Sequence, residues 1–223
     1  DAGALYVYDS LQALARGAEA MRARQALGAR VEMLDEAALM ALEPGLPEGR
    51  FAGAALFPGT LWLQDPAAVL ARLSASTRAQ RIDGRVLSLS PQRSGWQVST
   101  EAGALNAEAV VLAAGALSAS LLRPLGMNIP LTAERGYHLE FDDIEPLTRP
   151  TCPVAKGFYF TPMKGRLRAA GTVELGGIGA PPSPHRWDRL EQGVRSVFPD
   201  LPPPSRRWMG LRPSIPDSLP VVG

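Results

Sequence analysis

Arg212 stands at the end of the apolar run Trp208-Met209-Gly210-Leu211 and is followed by Pro213. A guanidinium held at a strand end, near apolar walls, suits bidentate capture of a carboxylate. Such a charge-assisted contact contributes about 1.5–3 kcal/mol. The same side chain could instead serve the fold by pairing with Asp217 or Glu134, and the residues alone favour that duller role. Tyr159 sits in Phe158-Tyr159-Phe160, whose neighbours point to the opposite face of a strand. Its hydroxyl could reach a ligand, or it could be a core phenol. His138 could donate to a ligand or face solvent. A fourth candidate is the bend Ala113-Ala114-Gly115, which follows the apolar run Ala109-Val110-Val111-Leu112. Small residues there let backbone approach a ligand closely, and in open α/β sheets ligands sit beyond the carboxyl ends of strands.

Other chemistries find little support. Gly176-Gly177-Ile178-Gly179 is followed by Ala-Pro-Pro, which cannot open a helix to hold a phosphate. The chain has no GxGxxG, P-loop, HExxH or GxSxG motif. Two separated histidines and one cysteine, Cys152, argue against a metal centre and exclude an internal disulfide. That lone thiol fits a reducing compartment, so a cytoplasmic location is expected. The 23 basic and 22 acidic residues leave a net charge of +1, and the arginines are scattered, which speaks against nucleic acid as a partner. No apolar run is long enough to span a membrane.

The elements that must position these residues follow from capping and periodicity. Leu5-Tyr6-Val7-Tyr8 reads as a strand, and Asp9 or Ser10 caps a helix running to about Leu27, where Gly28 ends it. Asp35 caps a second helix to about Leu42, and Phe51–Phe57 reads as a strand. Asp65-Pro66 starts a third helix, expected to bury Val69, Leu70 and Leu73. Strands are expected near Val86–Leu89, Trp96–Thr100 and Ala109–Leu112, then a helix-like segment from Leu117 to Leu125. Tyr137, Leu139 and Phe141 alternate with His138, Glu140 and Asp142, the pattern of a half-exposed strand. Val154–Thr161 and Leu167–Val173 form a hairpin across Met163-Lys164-Gly165-Arg166; a helix over Arg186–Phe198 and a strand over Trp208–Leu211 follow. The fold class is α/β with a mixed sheet.

Four segments taken in order, VVLAAGALSASLLRPLG, PLTAERGYHLEF, GFYFTPMKGRLRAAGTVELGG and WMGLRPSIPDSLPVVG, resemble the FAD-dependent amine and D-amino-acid oxidoreductases, most closely the bacterial D-amino-acid dehydrogenases. The resemblance covers nearly the whole chain. It implies a partial FAD-binding domain of glutathione-reductase type interleaved with an antiparallel-sheet substrate domain. Residues 1–60 and 130–213 would form the substrate domain, and 61–129 and 214–223 the FAD domain. Ala113, Ala114 and Gly115 would lie beside FAD, and the backbone of Val86 would contact its adenine. Arg212 falls on the arginine that binds the substrate carboxylate, and Tyr159 on the tyrosine that faces the flavin.

The implied reaction oxidises the Cα–N bond of a small (D-)amino acid to an imino acid by hydride transfer to flavin. The alternatives are a glycine/sarcosine-type secondary amine oxidase or a non-catalytic piece unable to hold FAD. Members of the family begin with a strand and a glycine fingerprint and end with a Gly-rich segment and a helix, none of which is found here. The chain starts without Met and stops at Pro220-Val221-Val222-Gly223, so it is expected to be an internal fragment lacking most of the FAD contacts. An unpaired sheet edge in such a fragment would invite self-association.

Overall fold

The computed structural model describes residues 3–222. The chain divides into two compact units: Asp1–Ser74, Gly136–Val173 and Pro182–Met209 form the first, and Ala75–Arg135, Glu174–Pro181 and Gly210–Gly223 the second. Among the described residues no helix is long and apolar enough to cross a membrane.

Strand β1 (Ala4–Tyr8) leads into helix α1 (Leu11–Ala26), whose N-terminus is capped by Ser10 Oγ accepting from the Ala13 amide at 3.2 Å. Strand β2 (Glu32–Asp35), which the sequence reading missed, runs directly into helix α2 (Glu36–Leu42), with Asp35 Oδ1 accepting from Ala38 N at 2.8 Å. Strand β3 (Gly53–Phe57) is followed by helix α3 (Pro66–Ser76), capped by Asp65 and opened by proline as expected. The expected burial of α3 is not found: no residue of the helix is buried, and Leu70 and Leu73 are 66% and 64% exposed. Caps and propensity set where this helix starts, but an apolar stripe is buried only where another element packs on it.

In the second unit, β4 (Val86–Pro91), β5 (Trp96–Thr100) and β6 (Gly103–Ala107) form an antiparallel meander. Its third strand is Gly103–Ala107, and the expected strand over Ala109–Leu112 does not form. A strand exists only with a hydrogen-bonded neighbour, and among the described residues no strand pairs with this run. A 3₁₀ turn at Gly115–Leu117, helix α4 (Ser118–Leu122) and a second 3₁₀ turn at Arg123–Leu125 cover the segment expected to be helix-like.

Strands β7 (Thr132–Asp142), β8 (Thr151–Pro153), β9 (Phe158–Met163) and β10 (Arg166–Leu175), helix α5 (Pro184–Arg195) and strand β11 (Arg206–Ser214) complete the chain. The expected strand over Val154–Thr161 is broken by a 3₁₀ turn at Val154–Lys156 that ends on Gly157 in the left-handed region. The hairpin of β9 and β10 is as expected, with Met163 opposite Arg166 and Tyr159 opposite Ala170. The sheet is eight-stranded and mixed, in the order β11-β7-β10-β9-β8-β1-β3-β2, with β1 antiparallel to β3 and parallel to β8.

One face of this sheet is the core of the first unit. Leu5, Val7, Leu139, Phe141, Phe158, Phe160, Leu167 and Ala169 pack with Leu39 of α2 and with Leu190 and Val194 of α5. On the opposite face a smaller cluster of Tyr8, Met21, Val31 and Ala55 seats α1 over β1 and β3. The fully buried Glu43 accepts from Thr148 N (3.0 Å), Thr148 Oγ1 (2.7 Å) and Arg149 Nε (3.1 Å), tying the end of α2 to the loop before β8.

Glu140 corrects the expectation of a half-exposed strand. It is buried on β7, where Oε2 pairs with Arg206 at 3.3 Å and Arg166 at 3.5 Å, and Oε1 with His138 Nε2 at 3.5 Å. His138 stacks on Trp208 with ring centroids 4.7 Å apart. Burial lowers the His138 pKa, Glu140 opposes this, and Arg168, Arg206 and Arg166 add to the lowering.

Two stability predictions follow from these buried charges. Glu43→Ala leaves the Arg149 guanidinium without its buried carboxylate, and urea unfolding is expected to report a loss of about 3–5 kcal/mol; a loss under about 1 kcal/mol would mark the pair as energetically idle. Because the folded-state pKa of His138 lies below its unfolded value, the unfolded chain takes up the extra proton first. Its contribution is therefore constant at higher pH and is lost as pH falls through about 6.5. The thermal midpoint of the wild type should thus drop relative to His138→Gln between about pH 7.5 and pH 5.5, whereas a pH-independent gap would refute the lowering.

Candidate active site

In the second unit the Ala113-Ala114-Gly115 bend stands open. Ala113 and Gly115 are exposed and Ala114 is half-buried. Gly115 has φ +56°, a left-handed conformation that strains any other residue, and a Cβ built on it would meet nothing within 4 Å. The open space beside it belongs to a cavity of about 950 Å³ lined by Gly115 and Ser118 with Leu89, Trp96, Val111 and Val222 among the apolar walls. That volume is at the upper end for small-molecule sites. Among the described residues no charged side chain lines it.

Ala113, Ala114, Val86 and Arg212 do not line this cavity, although Pro213 and Ser214, next to Arg212, do. Val86 opens β4 and is 37% exposed. Arg212 is exposed on β11. Among the described residues it makes no ion pair: Asp217 instead accepts from the Leu219 amide at 3.0 Å, and Glu134 is not joined to it.

Tyr159 belongs to the first unit. Phe158 and Phe160 are buried in the core, which sends Tyr159 to the other face, where it is 38% exposed. Its hydroxyl donates to Tyr6 Oη at 2.6 Å, and the two rings meet edge to face with centroids 5.9 Å apart. Cys152, on the intervening strand β8, pairs with Tyr6 and lies beside Tyr159. Burial pushes the Cys152 thiol up to about 11, slightly opposed by its contact with Tyr159. The Tyr159 pKa is raised well above the ordinary tyrosine value by burial, then by the Tyr6 hydrogen bond and the neighbouring Cys152. Both shifts favour the neutral forms of Tyr159 and Cys152.

The sequence reading singled out neither Tyr6 nor Cys152 for the site. A signal for Tyr6 was present, because Tyr6 and Tyr8 share one face of a strand whose Leu5 and Val7 face the core. Cys152 offered none, since its place between two tyrosines depends on strand order.

The family model described as FAD dependent oxidoreductase matches residues 1–223. The chain is 43% identical over 135 residues to a D-amino-acid oxidase of Bradyrhizobium diazoefficiens, an alignment covering 56% of this chain and 31% of that protein. It is 32% identical over 209 residues to a D-amino acid dehydrogenase of Methylobacterium nodulans, covering 88% of this chain and 49% of the relative. The chain thus spans about half or less of the length of these relatives. The crystal structure of glycine oxidase from Geobacillus kaustophilus superposes with a TM-score of 0.81 at 26% identity, over 99% of this chain and 61% of that one.

The residues present fit part of FAD. The open glycine and small side chains of the bend admit close approach by a flat group, and the apolar walls suit ring systems. The pyrophosphate would meet no cationic side chain in the cavity lining. A family model matched over residues 1–223, on a fold shared with glycine oxidase, places this chain in the FAD-dependent oxidoreductases.

Proposed function

We propose that these residues are part of an enzyme that dehydrogenates the Cα–N bond of a small D-amino acid to an imino acid, which then hydrolyses in water. The observation that carries this reading is the exposed Arg212 guanidinium, free of any ion pair among the described residues, at the position where the family resemblance puts a carboxylate clamp. Bound FAD supplies the hydride acceptor.

The chain's own residues bind and orient. Arg212 takes the substrate carboxylate through a fork of two N–H donors, which fixes orientation as well as affinity. Tyr159 presents a neutral hydroxyl to the substrate. The backbone of Val86 and the Ala113-Ala114-Gly115 bend hold the cofactor. In this reading residues 1–60 and 130–213 serve the substrate, residues 61–129 and 214–223 serve FAD, and the buried reduced thiol of Cys152 fits a cytoplasmic setting. No protein base is needed beyond keeping the substrate amine neutral. His138 is accordingly left out: it is stacked on Trp208 and held against Glu140.

A second reading, a glycine/sarcosine-type secondary amine oxidase, draws support from the likeness to glycine oxidase. Steady-state rates with D-alanine, D-proline and sarcosine, each with oxygen and with a quinone acceptor, separate the two. A chain that stays colourless with FAD and binds no amino acid supports the inert alternative.

In the full-length enzyme, Arg212→Ala is expected to lower kcat/KM by about 2–4 kcal/mol, with Arg212→Lys recovering only part because a point charge cannot replace the fork. An unchanged kcat/KM in the alanine variant would remove Arg212 from the site.

A further inference from the structure

We propose that Tyr6 is a positioning residue: it fixes the Tyr159 phenol across the Cys152 strand and so sets which way the substrate-facing hydroxyl points. This rests on the reading of Tyr159 as facing substrate, and it concerns a residue to which neither the sequence motifs nor the family resemblance gives a role.

The geometry is that of a bridge over a small residue. Tyr159 stands on β9, Tyr6 on β1, and β8 runs between them. Adjacent strands lie about 4.8 Å apart, so two side chains on next-but-one strands meet only if both are long and the residue between is short. Cys152 supplies the short one: it pairs directly with Tyr6, and the register that sets Thr151 opposite Phe160 places it beside Tyr159. The two phenols close over it with an O···O separation of 2.6 Å.

Tyr6 is itself immobilised. Its ring packs on Phe57 at a centroid distance of 5.0 Å, the Arg24 guanidinium from α1 lies 5.5 Å from its centroid, and the side chain is half-buried. Tyr159 is the more exposed partner, and Ala170 across from it on β10 offers little bulk to stop it turning. The fixed phenol therefore orients the free one. With Tyr159 donating to Tyr6, its oxygen keeps lone pairs for an incoming N–H or O–H donor. A Tyr159 released from Tyr6 would spread over several rotamers and lose that aim.

The substitution Tyr6→Phe removes the hydroxyl alone and keeps the ring against Phe57 and Arg24, so a purely packing role for Tyr6 predicts no effect. Two measurements on the full-length FAD-loaded enzyme test the proposal. In the first, Tyr159→Phe and Tyr6→Phe are each expected to lower kcat/KM about 3- to 10-fold, the double variant falling no further than Tyr159→Phe alone. Full activity in Tyr6→Phe, or effects that multiply in the double variant, would overturn the positioning role while leaving Tyr159 in the site. Full activity in Tyr159→Phe would instead remove the reading on which the proposal rests, and the proposal with it.

In the second, the rate of iodoacetamide labelling at Cys152, followed by mass spectrometry without substrate, is expected to rise about threefold or more in Tyr6→Phe as Tyr159 leaves its place over the thiol. An unchanged labelling rate would show that Tyr6 does not hold Tyr159, and would overturn the proposal whatever the kinetics.

Discussion

Alternation along a strand governs this molecule. Along β1, β7, β9 and β10 alternate side chains enter the core built with α2 and α5, which turns the residues between them to the other face. On β9 the burial of Phe158 and Phe160 decides the direction of Tyr159; on β7 the burial of Leu139 and Phe141 decides that of His138 and Glu140. Burying a phenylalanine or leucine side chain contributes about 1.5–3 kcal/mol, so a one-residue slip of β9 would forfeit several such terms and turn Tyr159 inward. The direction of Tyr159 is set by residues that point the opposite way.

The second unit is built under a looser constraint. Its meander is antiparallel with one register shift between Val86 and Ser88, and its bend keeps Gly115 in a left-handed conformation that L side chains rarely adopt. The apolar run Val110-Val111-Leu112 stays irregular, and Val111 is 92% exposed. Such a run gains its strand hydrogen bonds only from a neighbour, so hydrophobicity alone does not make it a strand.

What was legible in the sequence was the local chemistry. Ser10, Asp35 and Asp65 each cap the helix they announce, because a side-chain acceptor beside free amides needs no tertiary partner. The β9–β10 hairpin was legible from its turn, and the core face of β7 from its alternation. What could not be read depended on partners distant in sequence. The alternation that turns His138 away from the core equally predicted an exposed Glu140, but arginines from β10 and β11 converge on that carboxylate. Leu70 and Leu73 formed a credible buried stripe, yet a stripe is buried only by what packs on it. Tyr6 and Cys152 entered the picture only when strand order set β8 between β1 and β9.

The electrostatic character of the Tyr159 face bears on the chemistry it can support. Both Tyr159 and Cys152 are pushed toward their neutral forms by burial, and each is next to the other rather than to a cation that could reverse the shift. A phenolate or thiolate there would pay for desolvation with no compensating charge. The face thus offers hydrogen bonds without a strong base. A base is what a carbanion route would require, since the proton on Cα must go somewhere as the electrons leave. Departure of hydrogen together with its electron pair makes no such demand, and asks only that the substrate be held still with its amine neutral. In the reading proposed above, the neutrality of these two groups agrees with hydride removal rather than with proton abstraction by a residue of this face.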